Sequence, residues 1–411
     1  MRILLLNQFF WPDSSATSQL LTDLARGLVG DGHDVYAISA DGGYALVDVQ
    51  DAPAVQMHRV KSLPFTRGRI GRVLSYASFY LFAAIRSITL PKPDLVITLT
   101  TPPLLSILGN IVQTLRGSRH FIWEMDLYPD VAIDLGYFKA GGLCERVTGL
   151  LADWSRHRAD GIIALGECMK ARLVKRGISA ERIFVAHNWA DSRAIVVLPR
   201  QGTPDSLNIL YSGNLGLAHD LDTIKGAMLR LKEDTRFRFI FVGNGVRRDE
   251  LTKFATVEGL DTVELRPYVQ RATLSESLAI GDIGLVTQRQ ECCGSVVPSK
   301  VYGLLAAGRP ILFIGPVEAT PARIIKEFNC GWHVSCGDIK SLTKLLLHLA
   351  ENPGEVWTTG QRAREALIEH FDRPLGVARI AGIVGAGLQV SPEKTYAAFP
   401  AEPAGQHSHV S

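Results

Sequence analysis

Short apolar runs alternate with helix-length stretches along nearly the whole chain, and this alternation restricts the fold more than any other feature. ILLLNQ from Ile3, a helical stretch over Gln19–Val29 and HDVYAISA from His33 open the pattern, and DLVITLT, HFIWEMD and GIIALG continue it. Strands that read as continuous apolar runs are covered on both faces, as in a parallel sheet flanked by helices. The pattern restarts with NILYSG, FRFIFVG, TVELRPY, IGLVTQ, RPILFIG and GWHVS, separated by runs such as Leu221–Leu231 and Ser341–Leu349. Between the halves, Arg193–Ser206 carries Pro199, Gly202 and Pro204 and reads as a linker. A chain of 411 residues exceeds what one core usually serves. The expected architecture is α/β, with two Rossmann-like, doubly wound parallel-sheet domains facing across a cleft. The first spans residues 1–195 and the second 196–373; a helix at about 374–388 packs back on the first. Pro392, Pro400 and Pro403 among small and polar residues predict a disordered tail over 389–411.

The segment from Gly294 to Ile311, GSVVPSKVYGLLAAGRPI, carries the most chemistry. A polar turn opens into a short helix and then a strand. Pro298 suits a first helical turn, Ser299 and Lys300 sit beside free backbone donors, and Gly308 stops the helix. Donors at a helix N-terminus plus one ammonium suit a diphosphate. The plainer alternative is an ordinary helix-to-strand connection with a surface lysine.

Hydrophobic residues make up 46% and charged residues 21%, which describes a globular chain rather than a disordered one. A formal net charge of +3 gives no reason to expect nucleic acid. The cysteines form no zinc-type C-x-x-C pairs, and adjacent Cys292 and Cys293 do not suit a disulfide framework, so a reducing compartment is expected. MRILLLNQ runs into a buried strand and is too short for a signal peptide's apolar core, which points to the cytoplasm. Leu95–Leu115 has the length of a membrane span, but Thr100, Thr101, Pro102 and Pro103 divide it into strand, loop and helix. Ile70–Ile85 falls short of the ~20 residues a span requires and contains Arg72.

From Arg59 to Lys92 the chain carries Arg59, Lys61, Arg67, Arg69, Arg72, Arg86 and Lys92 and no acid, interleaved with Phe65, Phe79, Tyr80 and Phe82. Two readings stand: a helix lying at the surface of an anionic membrane, or a core helix with solvated arginines.

HFIWEMD ends with Glu124 and Asp126, and the carboxyl ends of parallel strands are where such sheets bind ligands. Asp126 is either a ligand contact at that strand end or a helix cap; Asp130, before VAIDLG, is the stronger cap candidate. Glu124 either shares the face of Asp126 or is a buried partner for an arginine. GNGVRR at Gly243–Arg248 begins like a dinucleotide fingerprint but lacks the third glycine and lies in the second half, so no NAD site is expected. Asp220-Leu221-Asp222 starts a helix, where Asp220 serves as an N-terminal charge, and no metal or other cofactor is expected.

NQFFWPD at Asn7–Asp13, MDLYPD at Met125–Asp130, ALGECM at Ala164–Met169, HNWAD at His187–Asp191, YSGNLG at Tyr211–Gly216 and PSKVYG at Pro298–Gly303 occur in one order. In that order they resemble the GT-B glycosyltransferases of family four, especially the subgroup that writes PSK-x-Y-G. The resemblance implies a retaining enzyme that takes a nucleotide-diphosphate-sugar donor, with Asp126 and Lys300 as catalytic residues. It implies donor contacts at Asn214, Gly216, Gly243, Gly245, Arg266, Tyr268, Ser299, Lys300 and Tyr302. Trp11, Thr17, Glu124 and Asp126 fall on the acceptor side. Most of family four carries two Glu eight positions apart around this segment; Ser295 and Gly303 stand there in this chain. Much of it also has an Arg and a Lys after the YSGNLG-like strand, where this chain offers Asn214 and His219, the latter expected at the surface. The expected acceptor is a lipid-linked saccharide or a surface-glycan precursor, met at a membrane through residues 59–92. A nucleotide-sugar epimerase on the same fold and a non-catalytic nucleotide-sugar-binding partner of a membrane glycan assembly are the alternatives.

Overall fold

The computed structural model describes residues 1–13, 15–42, 52–63, 69–201 and 206–385, without the side chains of Arg69, Ile70 and Arg271. The expected tail over 389–411, Phe65 and Arg67 of the basic segment, and Gly202 and Pro204 of the linker lie outside the described residues. The chain forms two units: one holds Met1–Trp189, Glu291–Ser299 and the stretch from Arg373 onward, and the other Ala190–Gln290 and Lys300–Asp372.

The first unit is built on β1 (Arg2–Leu6), α1 (Ala16–Gly30), β2 (Asp34–Ala40), β3 (Gln56–Val60), α2 (Arg69–Thr89), β4 (Leu95–Thr98), α3 (Ser106–Arg116) and β5 (Arg119–Glu124). It continues with α4 (Asp130–Asp134), α5 (Leu143–Arg158), β6 (Gly161–Ala164), α6 (Glu167–Lys175) and β7 (Ile183–Val185). Its seven-stranded parallel sheet runs β3-β2-β1-β4-β5-β6-β7. β4 and β6 are buried at every position, which is why they carry no polar alternation. Strand order reverses between β1 and β4, and the loops that follow them meet there, with the Gln8 N–H donating to Thr101 O at 2.8 Å. Trp123 of β5 stacks on Trp189 at 5.7 Å between ring centroids within the first unit's core.

The second unit contains β8 (Leu207–Ser212), α7 (Asp222–Arg230), β9 (Phe237–Val242), α8 (Arg248–Glu258), β10 (Val263–Arg266), α9 (Leu274–Ala279) and β11 (Ile283–Thr287). α10 (Lys300–Ala306), β12 (Ile311–Ile314), α11 (Thr320–Phe328), β13 (Gly331–Val334), α12 (Ile339–Glu351) and α13 (Pro353–Ala366) complete it, and α14 (Arg373–Ile383) then packs on α1 of the first unit. Its six-stranded parallel sheet runs β10-β9-β8-β11-β12-β13, with its reversal between β8 and β11. Phe237, Phe239 and Phe241 bury one face of β9, each aromatic contributing on the order of 1.5–3 kcal/mol through the apolar surface it removes from water.

Ligands of open α/β sheets bind at such reversals, outside the carboxyl ends of the strands. In the second unit Gly213 and Asn214 follow β8 at the reversal; in the first, Glu124 and Asp126 stand at the carboxyl end of β5, the strand next to β4.

Candidate active site residues in each unit

In the second unit, β8 ends at Ser212 and Gly213 turns the chain at φ +128°, a conformation that suits glycine. A side chain at Gly213 would begin 2.5 Å from Lys300 Cε, so the lysine stem lies across bare backbone. Lys300 Nζ donates to Asn214 O at 3.3 Å, reaches His219 Nε2 at 3.3 Å and stands 4.7 Å from the centroid of the Tyr211 ring. His219 was expected at the surface, but it is half-buried and held by Thr287, Tyr211 and Lys300. Its Nδ1 lies 2.9 Å from Thr287 O, which can only accept, so the proton belongs on Nδ1 and Nε2 faces the lysine as an acceptor. Tyr211 donates its hydroxyl to Asn214 O at 2.6 Å and meets the imidazole edge-on.

Burial pushes His219 down to about 3, helped by the adjacent Lys300 charge, so the imidazole is neutral near pH 7. Loss of hydration likewise pushes Lys300 down to about 7. Two uncharged acceptors and a ring face hold this ammonium, and among the described residues no carboxylate is paired with it.

The remaining residues expected on the donor side are less uniform. Gly243, at φ +131°, packs against the β8 turn so closely that a side chain would begin 2.2 Å from Gly213 O. Gly245 lies beside Leu215 in the same turn. Asn214 is exposed and Gly216 half-buried. Arg266 is paired with Glu264 at 2.7 Å, and Tyr268 is exposed. Tyr302 is buried, its ring 5.5 Å from that of Phe371 in an edge-on contact. Ser299 is exposed and ends the segment that belongs to the first unit. The helix begins at Lys300 rather than at Pro298, and its seven residues leave Lys300 itself as the main source of positive charge. Asp220 accepts from the Thr223 N–H at 3.0 Å, the N-terminal role expected of it.

In the first unit, Asp126 follows β5. Its N–H donates to Thr100 Oγ1 at 3.3 Å, and its backbone pairs with Val296, while Leu127 N–H donates to Ser295 O at 2.8 Å. Desolvation, reinforced by the Glu124 charge, pushes the Asp126 carboxyl up to about 6. Glu124 itself takes the buried role: Arg156 Nε lies 2.7 Å from its Oε1, with both side chains 3% exposed. Arg156 also donates to Tyr128 O at 2.8 Å, so this pair fixes the loop that carries Asp126. Asp130 is not the cap expected. It is the first residue of α4, and its carboxylate pairs with Arg176 at 3.2 Å and Arg172 at 3.6 Å. Trp11 is half-buried against the core and Thr17 lies on the first turn of α1, its hydroxyl 3.5 Å from that of Ser15.

The sequence reading missed Tyr211 and misplaced His219. Tyr211 was quoted as part of a motif, and its place on β8 three residues before Asn214 was the available clue.

Two parallel-sheet units, each with polar groups at the carboxyl ends of its strands, define a GT-B protein. Residues 16–189 match the glycosyl transferase 4-like domain and residues 200–368 match the glycosyl transferases group 1 domain, so the chain belongs to the group 1 glycosyltransferases. "Probable glycosyltransferase WbjE" of Pseudomonas aeruginosa is 26% identical over 337 residues, covering 78% of this chain and 82% of its own. WcaI of Escherichia coli K12, whose name carries colanic acid biosynthesis, is 26% identical over 338 residues, covering 75% of this chain and 82% of its own. Anabaena HepE, solved with UDP and glucose, shares the fold at a TM-score of 0.70 and 17% identity, over 94% of this chain and 100% of that one.

Proposed function

We propose that this enzyme is a retaining glycosyltransferase of the PSK-x-Y-G subgroup. It moves a hexosyl or hexosaminyl group from a nucleotide-diphosphate sugar to a lipid-linked saccharide or surface-glycan precursor, at the cytoplasmic face of the plasma membrane. The observation that carries this reading is Lys300: an ammonium held by Asn214 O, His219 and the Tyr211 ring at a strand-order reversal, with no carboxylate paired to it among the described residues. A diphosphate is the anion that would complete it. The colanic acid name of WcaI and the UDP bound to HepE agree with a nucleotide donor and a surface-glycan product.

In the proposed reaction the bond from the sugar's anomeric carbon to the diphosphate breaks and a bond to the acceptor oxygen forms on the same face. The acceptor proton passes to the departing diphosphate, Lys300 stabilises the charge growing there, and ionised Asp126 orients the acceptor hydroxyl. Arg72 and Tyr76 of α2 influence the Tyr128 hydroxyl electrostatically, next to Asp126, so the basic aromatic helix borders the residue assigned to the acceptor. A membrane-borne acceptor fits that neighbourhood.

Incubating the protein with labelled nucleotide sugars and a lipid extract, with and without EDTA, tests the proposal. Transfer into lipid that survives EDTA is expected. An isomerised donor would make the chain an epimerase, binding without turnover would make it a non-catalytic partner, and a strict Mg²⁺ or Mn²⁺ requirement would remove the metal-independent scheme.

A further inference from the structure

α5 turns large apolar side chains to water along one line. Leu143 is 78% exposed, Val147 47%, Leu150 73%, Leu151 42% and Trp154 47%. Their spacing, i, i+4, i+7, i+8 and i+11, is a single helical stripe, whereas the helix buries small residues such as Gly149, Ala152 and Ser155 against its own unit. A surface helix of an ordinary globular protein shows the reverse pattern, and a contiguous apolar patch of this kind marks an interaction site. The stripe has neighbours. α5 packs on α3, which exposes Ile111 and Leu115, and α3 packs on α2, which exposes Leu81, Ile85 and Ile88.

Charge selects the occupant. Arg146, His157 and Arg158 are exposed on α5, and the Arg158 guanidinium lies 5.4 Å from the Trp154 ring centroid. The acids of α5 are engaged within the unit: Glu145 accepts from the Gly141 N–H, and Asp153 pairs with Arg176 at 2.8 Å and Arg156 at 3.2 Å. A second copy docking on this stripe would bring like-charged rims together. An anionic bilayer offers hydrocarbon for the stripe and phosphate for its basic edge.

We infer that α5 is a membrane-contacting helix in its own right, laying Leu143, Val147, Leu150, Leu151 and Trp154 into the headgroup–acyl boundary of an anionic leaflet. The inference rests on the reading that a membrane is this enzyme's partner, but it assigns contact to residues outside 59–92.

The test is co-sedimentation of the full chain with phosphatidylglycerol/phosphatidylethanolamine vesicles, against phosphatidylcholine vesicles. Leu143→Gln, Leu150→Gln and Trp154→Gln together should lower partition into the anionic vesicles by about tenfold or more, given the apolar area withdrawn. Melting temperature and donor affinity should hold, because these side chains are exposed. Trp154→Phe should keep binding but lose the component of tryptophan fluorescence quenched by brominated lipid. Unchanged partition in the triple variant, while an Arg69 and Arg72 double variant is released, would overturn the α5 inference and leave the membrane reading standing. Wild-type protein that ignores vesicles would remove both, and a dimer split by the triple variant with partition unaltered would assign the stripe to a second copy.

Discussion

Replacing Lys300 with Met removes an ammonium that the structure places in a poorly hydrated pocket and keeps a side chain of similar length. Two opposite effects should follow. Turnover should fall on the order of 10²- to 10³-fold, the scale for losing one preorganised contact to a developing charge. Stability near neutral pH should rise. The Lys300 pKa drops from 10.5 to about 7 through burial, and at about 1.4 kcal/mol per unit the full displacement is roughly 5 kcal/mol. Lys300 is half-buried and keeps partners, so we expect about 1–2 kcal/mol of this as a gain, or a few degrees in Tm for a domain of this size. The sign with pH follows from linkage. Between about 7 and 10.5 the unfolded lysine holds a proton that the folded one has lost, so wild-type stability climbs with pH across that window and the advantage of Lys300→Met closes. Turnover with labelled donor, donor affinity and thermal melts from pH 6 to 10 measure all three quantities on one variant. A folded variant with near-normal turnover would refute the cradle assignment. A variant that melts well below wild type would show Lys300 to be a structural prop instead.

The proposed reaction uses ionised Asp126 and protonated Lys300, so kcat/KM should be bell-shaped, rising through about 6 and falling through about 7. Asp126→Asn should abolish the acid limb and Lys300→Met the alkaline one; limbs unmoved by either would assign them elsewhere. Glu124→Ala strips Arg156 of its buried partner but leaves Asp153 at 3.2 Å, so it should cost about 2–3 kcal/mol in urea melts; a loss below about 1 kcal/mol would mean that water reaches the pair. Gly213→Ala places a methyl against the Lys300 stem and a side chain at φ +128°, so both kcat and Tm should fall; unchanged kinetics would show that the lysine has other room.

The sheets were legible because their buried strands are unbroken apolar runs, as in LVIT and GIIA. β3 and β7 were not anticipated. Gln56–Val60 is an edge strand with polar, exposed positions, and Ile183–Val185 is three residues long, so neither carries a periodic signal. Lys300 is legible from the turn-to-helix segment that carries it and Asp126 from its place after a strand, but their environments are not readable. His219 shows why: it lies in the loop between β8 and α7, and its burial depends on Tyr211 and on Thr287, which is 68 residues away in sequence. The role of Glu124 was left open between two readings for the same reason, since Arg156 on α5 decides it.

The two units are interleaved along the chain, which passes from one to the other after Trp189, Gln290, Ser299 and Asp372. The stretch Glu291–Ser299 is a loan: it is encoded within the second half, yet its backbone is stitched to Asp126 and Leu127 and it shelters Val297 in the first unit's core. A chimera joined at the linker near residue 200 would therefore exchange more than the second unit. It would bring a foreign patch into the wall beside Asp126, so grafts between relatives should carry residues 291–299 with the N-terminal half.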